Sequence, residues 1–140
     1  MKNDATIEAL LHAQAKAVRE RNVDAALAPY ARDLMKYDLA PPLRSVGSDP
    51  EGLAAWFANF EGPITRELHE LRIFVSGDVA FAYGVVRLGA TTLAGEAWAM
   101  WMRATWGLQR RDDAWTIVHE HESVPFHMDG TFRAATELEP

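Results

Sequence analysis

Hydrophobic and polar positions change their period at Pro63. Ahead of it, Ile7, Leu10, Leu11, Gln14, Ala17 and Val18 recur at helical spacing, which predicts a helix from a cap at Asp4 to about Arg21. A shorter helix follows through "DAALAPYA", capped by Asn22 or Asp24, with Ala26, Leu27 and Tyr30 on one side and Pro29 kinking or shortening it. "DLMKYDLAPPLRSVG" then alternates, with Leu34, Lys36 and Asp38 on one face and Met35, Tyr37 and Leu39 on the other. That predicts a strand over 34–39, a break at Pro41-Pro42 and a short pairing segment at 43–46. "SDPEGLAAWFANFEGP" predicts a third helix, opened by Ser48 or Asp49 with a first-turn proline and closed at Gly62-Pro63.

Beyond Pro63 the period falls to two. Strands are predicted at roughly 64–75, 79–90, 96–109 and 114–124, separated by turn signals at Ser76-Gly77-Asp78, Thr92 to Gly95 and Arg111 to Asp113. Connections this short make an antiparallel meander. Helices followed by a meander define an α+β fold, with the helices packed on one face of a curved sheet. The 140 residues fit one domain, 1–140, with no repeat or linker.

Composition narrows the function classes. The chain is 49% hydrophobic and 24% charged, as soluble globular domains are, and its net charge of -6 with no basic run argues against nucleic acid or anionic membrane as a partner. No apolar stretch is long enough to span a bilayer, and the N-terminus "MKNDATIEALLHAQAK" lacks the apolar core of a signal peptide. The absence of cysteine excludes disulfides, thiolate metal sites and a cysteine nucleophile, and fits a cytoplasmic location.

One segment breaks the rules of a core strand. "WTIVHEHESVPFH" places His119, Glu120, His121 and Glu122 in succession. On a regular strand the histidines share one face and the glutamates the other, and a bulge or a one-residue change in the hairpin decides which pair faces inward. Two histidines at this spacing with a carboxylate suit a divalent ion, but paired strand histidines more often bond to neighbours or pack at an interface, so no metal is assigned. Arg103 shares a strand face with Trp101 and Thr105; it either orients a ligand carbonyl or carboxylate beside an aromatic ring, or forms a salt bridge with Glu120, Glu122 or Asp38. Trp56, Phe57, Phe60, Trp98, Trp101 and Trp106 supply more aromatic surface than a core this small needs. The C-terminal "MDGTFRAATELEP" has a turn at Asp129-Gly130 and a polar tail, expected over a pocket mouth or a partner subunit.

The stretches "YARDLMKYDLAPPLRSVG", "GLAAWFANFEGP", "MWMRATWGLQRRDDAW" and "WTIVHEHESVPFHMDG" resemble the nuclear transport factor 2-like superfamily, in particular bacterial ketosteroid-isomerase homologues and SnoaL-like proteins, over nearly the whole chain. The resemblance implies a cone-shaped roll, with a strongly curved antiparallel sheet wrapped around the N-terminal helices, a hydrophobic pocket open at one end, no cofactor, and a homodimer formed through the outer sheet face. Asp38 falls where ketosteroid isomerases carry their general base. The alternative for Asp38 is a side chain engaged in the Pro41-Pro42 turn. The enolate donors of those enzymes have no counterpart here: the comparable turn of the first helix offers His12 and Gln14, and no acid lies between Ala97 and Gly107. The resulting expectation is a protein that binds a small hydrophobic ligand and catalyses proton transfer, isomerisation or cyclisation of a carbonyl compound. Asp38 would be the base and His119, Glu120 or His121 its acid–base partner, with Arg103, Trp101, Trp56, Phe60, Tyr37 and Tyr83 around the substrate. The alternative is a non-catalytic binding or oligomerisation module of the same fold.

Overall fold

The computed structural model describes residues 2–140. In chain order the elements are α1 (Lys2–Arg19), α2 (Val23–Leu27), β1 (Tyr30–Tyr37), β2 (Ser45–Val46), α3 (Pro50–Phe57), β3 (Phe60–Ser76), β4 (Val79–Thr92), β5 (Ala97–Arg111) and β6 (Ala114–Ser123). They form one six-stranded sheet in the order β2-β1-β6-β5-β4-β3, with the helices on its concave side. The meander from β3 to β6 is antiparallel, as the alternation predicts. However, β1 runs parallel to β6, so the sheet is mixed rather than wholly antiparallel. No hairpin joins these two strands, and with most of the chain between them the connection leaves their relative direction free.

β3, β4 and β5 run for 17, 14 and 15 residues, well beyond a typical strand, and sheets of such length must curl to bury a single face. Irregular pairing between Glu61 and Thr65, between His69 and Arg72, and beside Gly107 supplies the bends. Gly84 lies against the second of these; a Cβ there would come within 2.9 Å of the His69 carbonyl.

Tertiary groups set two boundaries that local sequence does not. Pro29 ends the helical stretch early because its carbonyl accepts from Ile117 N–H at 2.8 Å and the Thr116 hydroxyl at 3.0 Å, so β1 begins at Tyr30. α1 closes in a Schellman arrangement, with Asn22 N–H donating to the Ala17 carbonyl and Arg21 left-handed at φ 57°. The Arg21 guanidinium donates to the carbonyls of Phe57, Phe60 and Gly62 at 2.6, 3.0 and 2.5 Å. This clamp ends α3 at Phe57 and starts β3 at Phe60, ahead of the Gly62-Pro63 stop that sequence predicts. Pro63 is tolerated because β3 is an edge strand.

Ile7 and Leu11 of α1 pack on Leu34, Val86, Met102, Trp106, Leu108 and Ile117. A second cluster joins Ala17, Val18, Ala26, Phe57, Ile64 and Ala90. The C-terminal tail folds on itself through a bridge between Phe126 and Ala134 and an ion pair between His127 and Glu137. It contributes no residue to the cavity described below, contrary to its expected place over a pocket mouth. Among the described residues no helix is long and apolar enough to cross a membrane.

Candidate functional site

A bulge at Val118 answers the question raised by the His-Glu-His-Glu run. Leu108 pairs with Ile117 and Gly107 with His119, leaving Val118 as the extra residue on β6. Trp115 and Ile117 therefore face inward before the bulge, and Glu120 and Glu122 after it, at 1% and 7% exposure. His119 and His121 are sent to the outer face.

The carboxylates enter a cavity of about 630 Å³ between the sheet, the helices and the loop that follows β1. Val18, Leu53, Trp56, Leu88, Trp98 and Met100 form its apolar wall; Gln14, Tyr30, Lys36, Asp38, Arg66, Glu120 and Glu122 form its polar end. Tyr30 donates its hydroxyl to Glu120 Oε2 at 2.5 Å, and Trp106 Nε1–H donates to the same oxygen at 3.0 Å. Gln14 Nε2 donates to the Tyr30 hydroxyl at 3.3 Å. The Lys36 ammonium lies 3.9 Å from Glu120 Oε1 and 3.4 Å from Asp38 Oδ2, linking the deep carboxylate to one at the mouth. Across the cavity Arg66 Nη1 meets Glu122 Oε2 at 3.2 Å, while the buried Arg66 Nε has no protein partner.

This environment moves several protonation equilibria. Burial, aided by the charge of Glu120, holds the Tyr30 phenol well above its ordinary range. Burial also raises Glu122, outweighing the attraction of Arg66. For Lys36 burial acts downward, but the charges of Glu120, Glu122 and Asp38 outweigh it and the ammonium is held above its usual range. Arg66 is raised in the same way, with Glu122 the main opponent of burial.

The structure divides the sequence-derived candidates. Asp38, Glu120 and Trp56 line the cavity, and Phe60 stands behind Trp56 in an edge-to-face contact at 5.0 Å. Asp38 also accepts from Leu39 N–H at 2.7 Å, a local bond just ahead of the prolines. The other candidates lie on the convex face. His119 Nδ1 donates to the Met35 carbonyl at 2.7 Å, and the rings of His119 and His121 flank Tyr37 at 4.8 and 5.2 Å. Arg103 is exposed and donates to the Ser123 hydroxyl at 3.2 Å; it forms no bridge to Glu120, Glu122 or Asp38 because the inward residues of β5 are Met102, Ala104, Trp106 and Leu108. Trp101 packs against His69 under Arg87, and Tyr83 stacks with Phe74 and Phe81. Among the described residues no three His, Asp or Glu side chains converge as a metal site. Lys36, Arg66, Glu122 and Tyr30 are the cavity groups that were not among the sequence-derived site residues, with core Trp106 behind them as a donor to Glu120. Lys36 carried a signal in the face it shares with Asp38, and Glu122 in the face it shares with Glu120.

A curved, open sheet wrapped over helices around a polar-ended cavity defines the nuclear transport factor 2-like cone. The chain belongs to the SnoaL-like domain family, whose sequence model matches residues 7–127. It is similar in structure to an NTF2-like protein of unknown function from Pseudomonas putida KT2440, at 30% identity and a TM-score of 0.88, over 99% of this chain and 97% of that one. The fold is shared with a putative dehydratase of the NTF2-like family from Streptomyces avermitilis, at 15% identity and a TM-score of 0.76, over 87% and 95% of the two chains. It is shared too with the hexachlorocyclohexane dehydrochlorinase LinA-type3 from Novosphingobium barchaimii LL02, at 19% identity and a TM-score of 0.72, over 87% and 86%. No curated protein sequence matches the chain.

Proposed function

We propose that the protein binds a small hydrophobic carbonyl compound in this cavity and moves a proton on it without a cofactor. The observation that carries the reading is the Lys36 ammonium, 3.4 Å from Asp38 and 3.9 Å from Glu120 at the polar end of an apolar-walled chamber. Asp38, half exposed at the mouth, is placed to take a proton from the carbon beside a carbonyl. Lys36 is placed to hold the charge that then develops on oxygen. Its raised pKa keeps it a cation, so it acts as a hydrogen-bond donor and not as an amine nucleophile. Glu120, fixed by Tyr30 and Trp106, positions the ammonium. With His119 and His121 on the convex face, the acid–base partnership falls to Glu120. Proton removal is also the step with which a dehydration or a dehydrochlorination can begin, the reactions for which two similar folds are named.

The second reading, a non-catalytic ligand-binding module, is favoured by one observation: Asp38 is engaged by both Leu39 N–H and Lys36. In either reading we infer a cytoplasmic homodimer joined through the convex face, where Phe74, Phe81 and Tyr83 stack while 48, 50 and 44% exposed.

Hydrogen–deuterium exchange separates the two. In D₂O the protein should speed exchange beside the carbonyl in a panel of aryl and alicyclic ketones, followed by proton NMR. Asp38→Asn and Lys36→Met should each slow it by about 100-fold or more. Binding without exchange would establish the module instead, and failure of every ketone to bind would remove the carbonyl ligand itself.

A further inference from the structure

The charged residues that line the cavity are unbalanced. Four are acids, Asp38, Asp49, Glu120 and Glu122, and two are bases, Lys36 and Arg66. Both bases already hold carboxylates: Lys36 lies between Asp38 and Glu120, and Arg66 pairs with Glu122. The N-terminus of α3 offsets Asp49 in part, through Gly52 N–H at 2.9 Å. Even so, the described lining offers an entering anion no cation that is not already paired. A carboxylate or phosphate would have to displace Asp38, Glu120 or Glu122 from its partner or, at the Arg66 Nε–H that has no protein partner, lie beside Glu122.

We infer that the cavity selects its ligand by charge: it takes hydrophobic compounds that are neutral or carry a protonated amine, and it turns away anions. This rests on the proposed binding of a small hydrophobic compound and specifies its class. The bases respond to those same acids. A buried ammonium and a buried guanidinium ordinarily lose protons more readily, yet the carboxylates around Lys36 and Arg66 more than reverse that tendency. The same negative field that retains those protons attracts any cation placed among them. The wall adds a second attraction, since Trp56 and Trp98 bring indole surface to the chamber and a desolvated ammonium is favoured over such rings.

The test uses size-matched para-substituted aromatic compounds bearing an aminomethyl, methyl or carboxylate group, each with and without an acetyl group. Dissociation constants are read by ligand-observed NMR at low salt, and cavity binding is recognised by indole quenching that weakens in Trp56→Phe. In both series the amine should bind tightest and the carboxylate weakest, with roughly tenfold or more between the ends. Glu122→Gln should narrow that interval, as should Asp38→Asn at the solvent edge, where a folding defect is not at stake. A carboxylate that binds as tightly as its methyl counterpart overturns the inference. The expected order in the series without acetyl, with no gain from the acetyl group and no exchange beside it, upholds charge selection and removes the carbonyl reading. Ketone exchange with the carboxylate member bound tightest does the reverse. No binding of any member at millimolar concentration overturns both.

Discussion

At the scale of the residue, the protein keeps a carboxyl that is only 7% exposed. Glu122 is held by Arg66 but raised by burial, so it binds its proton more firmly folded than unfolded. The favourable contribution of such a group is complete below its unfolded pKa and is lost as pH rises through the higher folded one. Lys36, raised as well, keeps its contribution through neutrality and loses it only at alkaline pH, so it does not shape this window. Relative to wild type, Glu122→Gln should therefore gain stability as pH rises above the ordinary glutamate range, about 4, a change readable in urea midpoints. Parallel pH profiles would show that Glu122 titrates alike in both states. The sequence disclosed part of this site. Asp38 and Lys36 share a strand face, and Glu120 stood in a run of four titratable residues. The donors that fix Glu120 come from 90 and 14 residues away, and Arg66, which alternates inward with Ile64, meets its carboxylate 56 residues away, so neither partnership was readable from local pattern.

At the scale of the element, side chains distant in sequence decide where helices stop. α1, the start of α3 and the four long strands with their turns follow directly from periodicity, proline placement and glycine. The end of α3 does not, because the Arg21 clamp sets it, and the start of β1 does not, because β6 pulls Pro29 into the sheet. The parallel β1–β6 pairing was equally illegible, since no turn encodes it. Arg21→Gly separates conformation from contact, because glycine adopts φ 57° freely while removing the guanidinium. Loss of charged hydrogen bonds, worth about 1.5–3 kcal/mol, should exceed the relief of left-handed strain and leave the variant about 1 kcal/mol less stable in urea unfolding. A variant as stable as wild type would mean that the clamp marks the boundary without enforcing it.

At the scale of the whole molecule, the two faces of the sheet have diverged. The concave face holds paired charges, and the convex face holds aromatic rings: Tyr83, Thr105, His121 and Tyr37 follow one another across four strands, next to Phe74 and Phe81. If that surface joins two copies, Phe81→Glu should turn a dimer into a monomer in analytical ultracentrifugation while leaving circular dichroism unchanged. A wild-type protein that sediments as a monomer at micromolar concentration would end the dimer proposal. The bulge at Val118 ties the two faces together. Pairing Val118 with Gly107, one residue of register away, would exchange them, turning both imidazoles toward the chamber and both glutamates toward the outside. An interior lined by imidazoles instead of carboxylates thus lies one step of strand register away, so a lineage built on this scaffold can change the chemistry of its chamber by a slip of β6 before any side chain in it mutates.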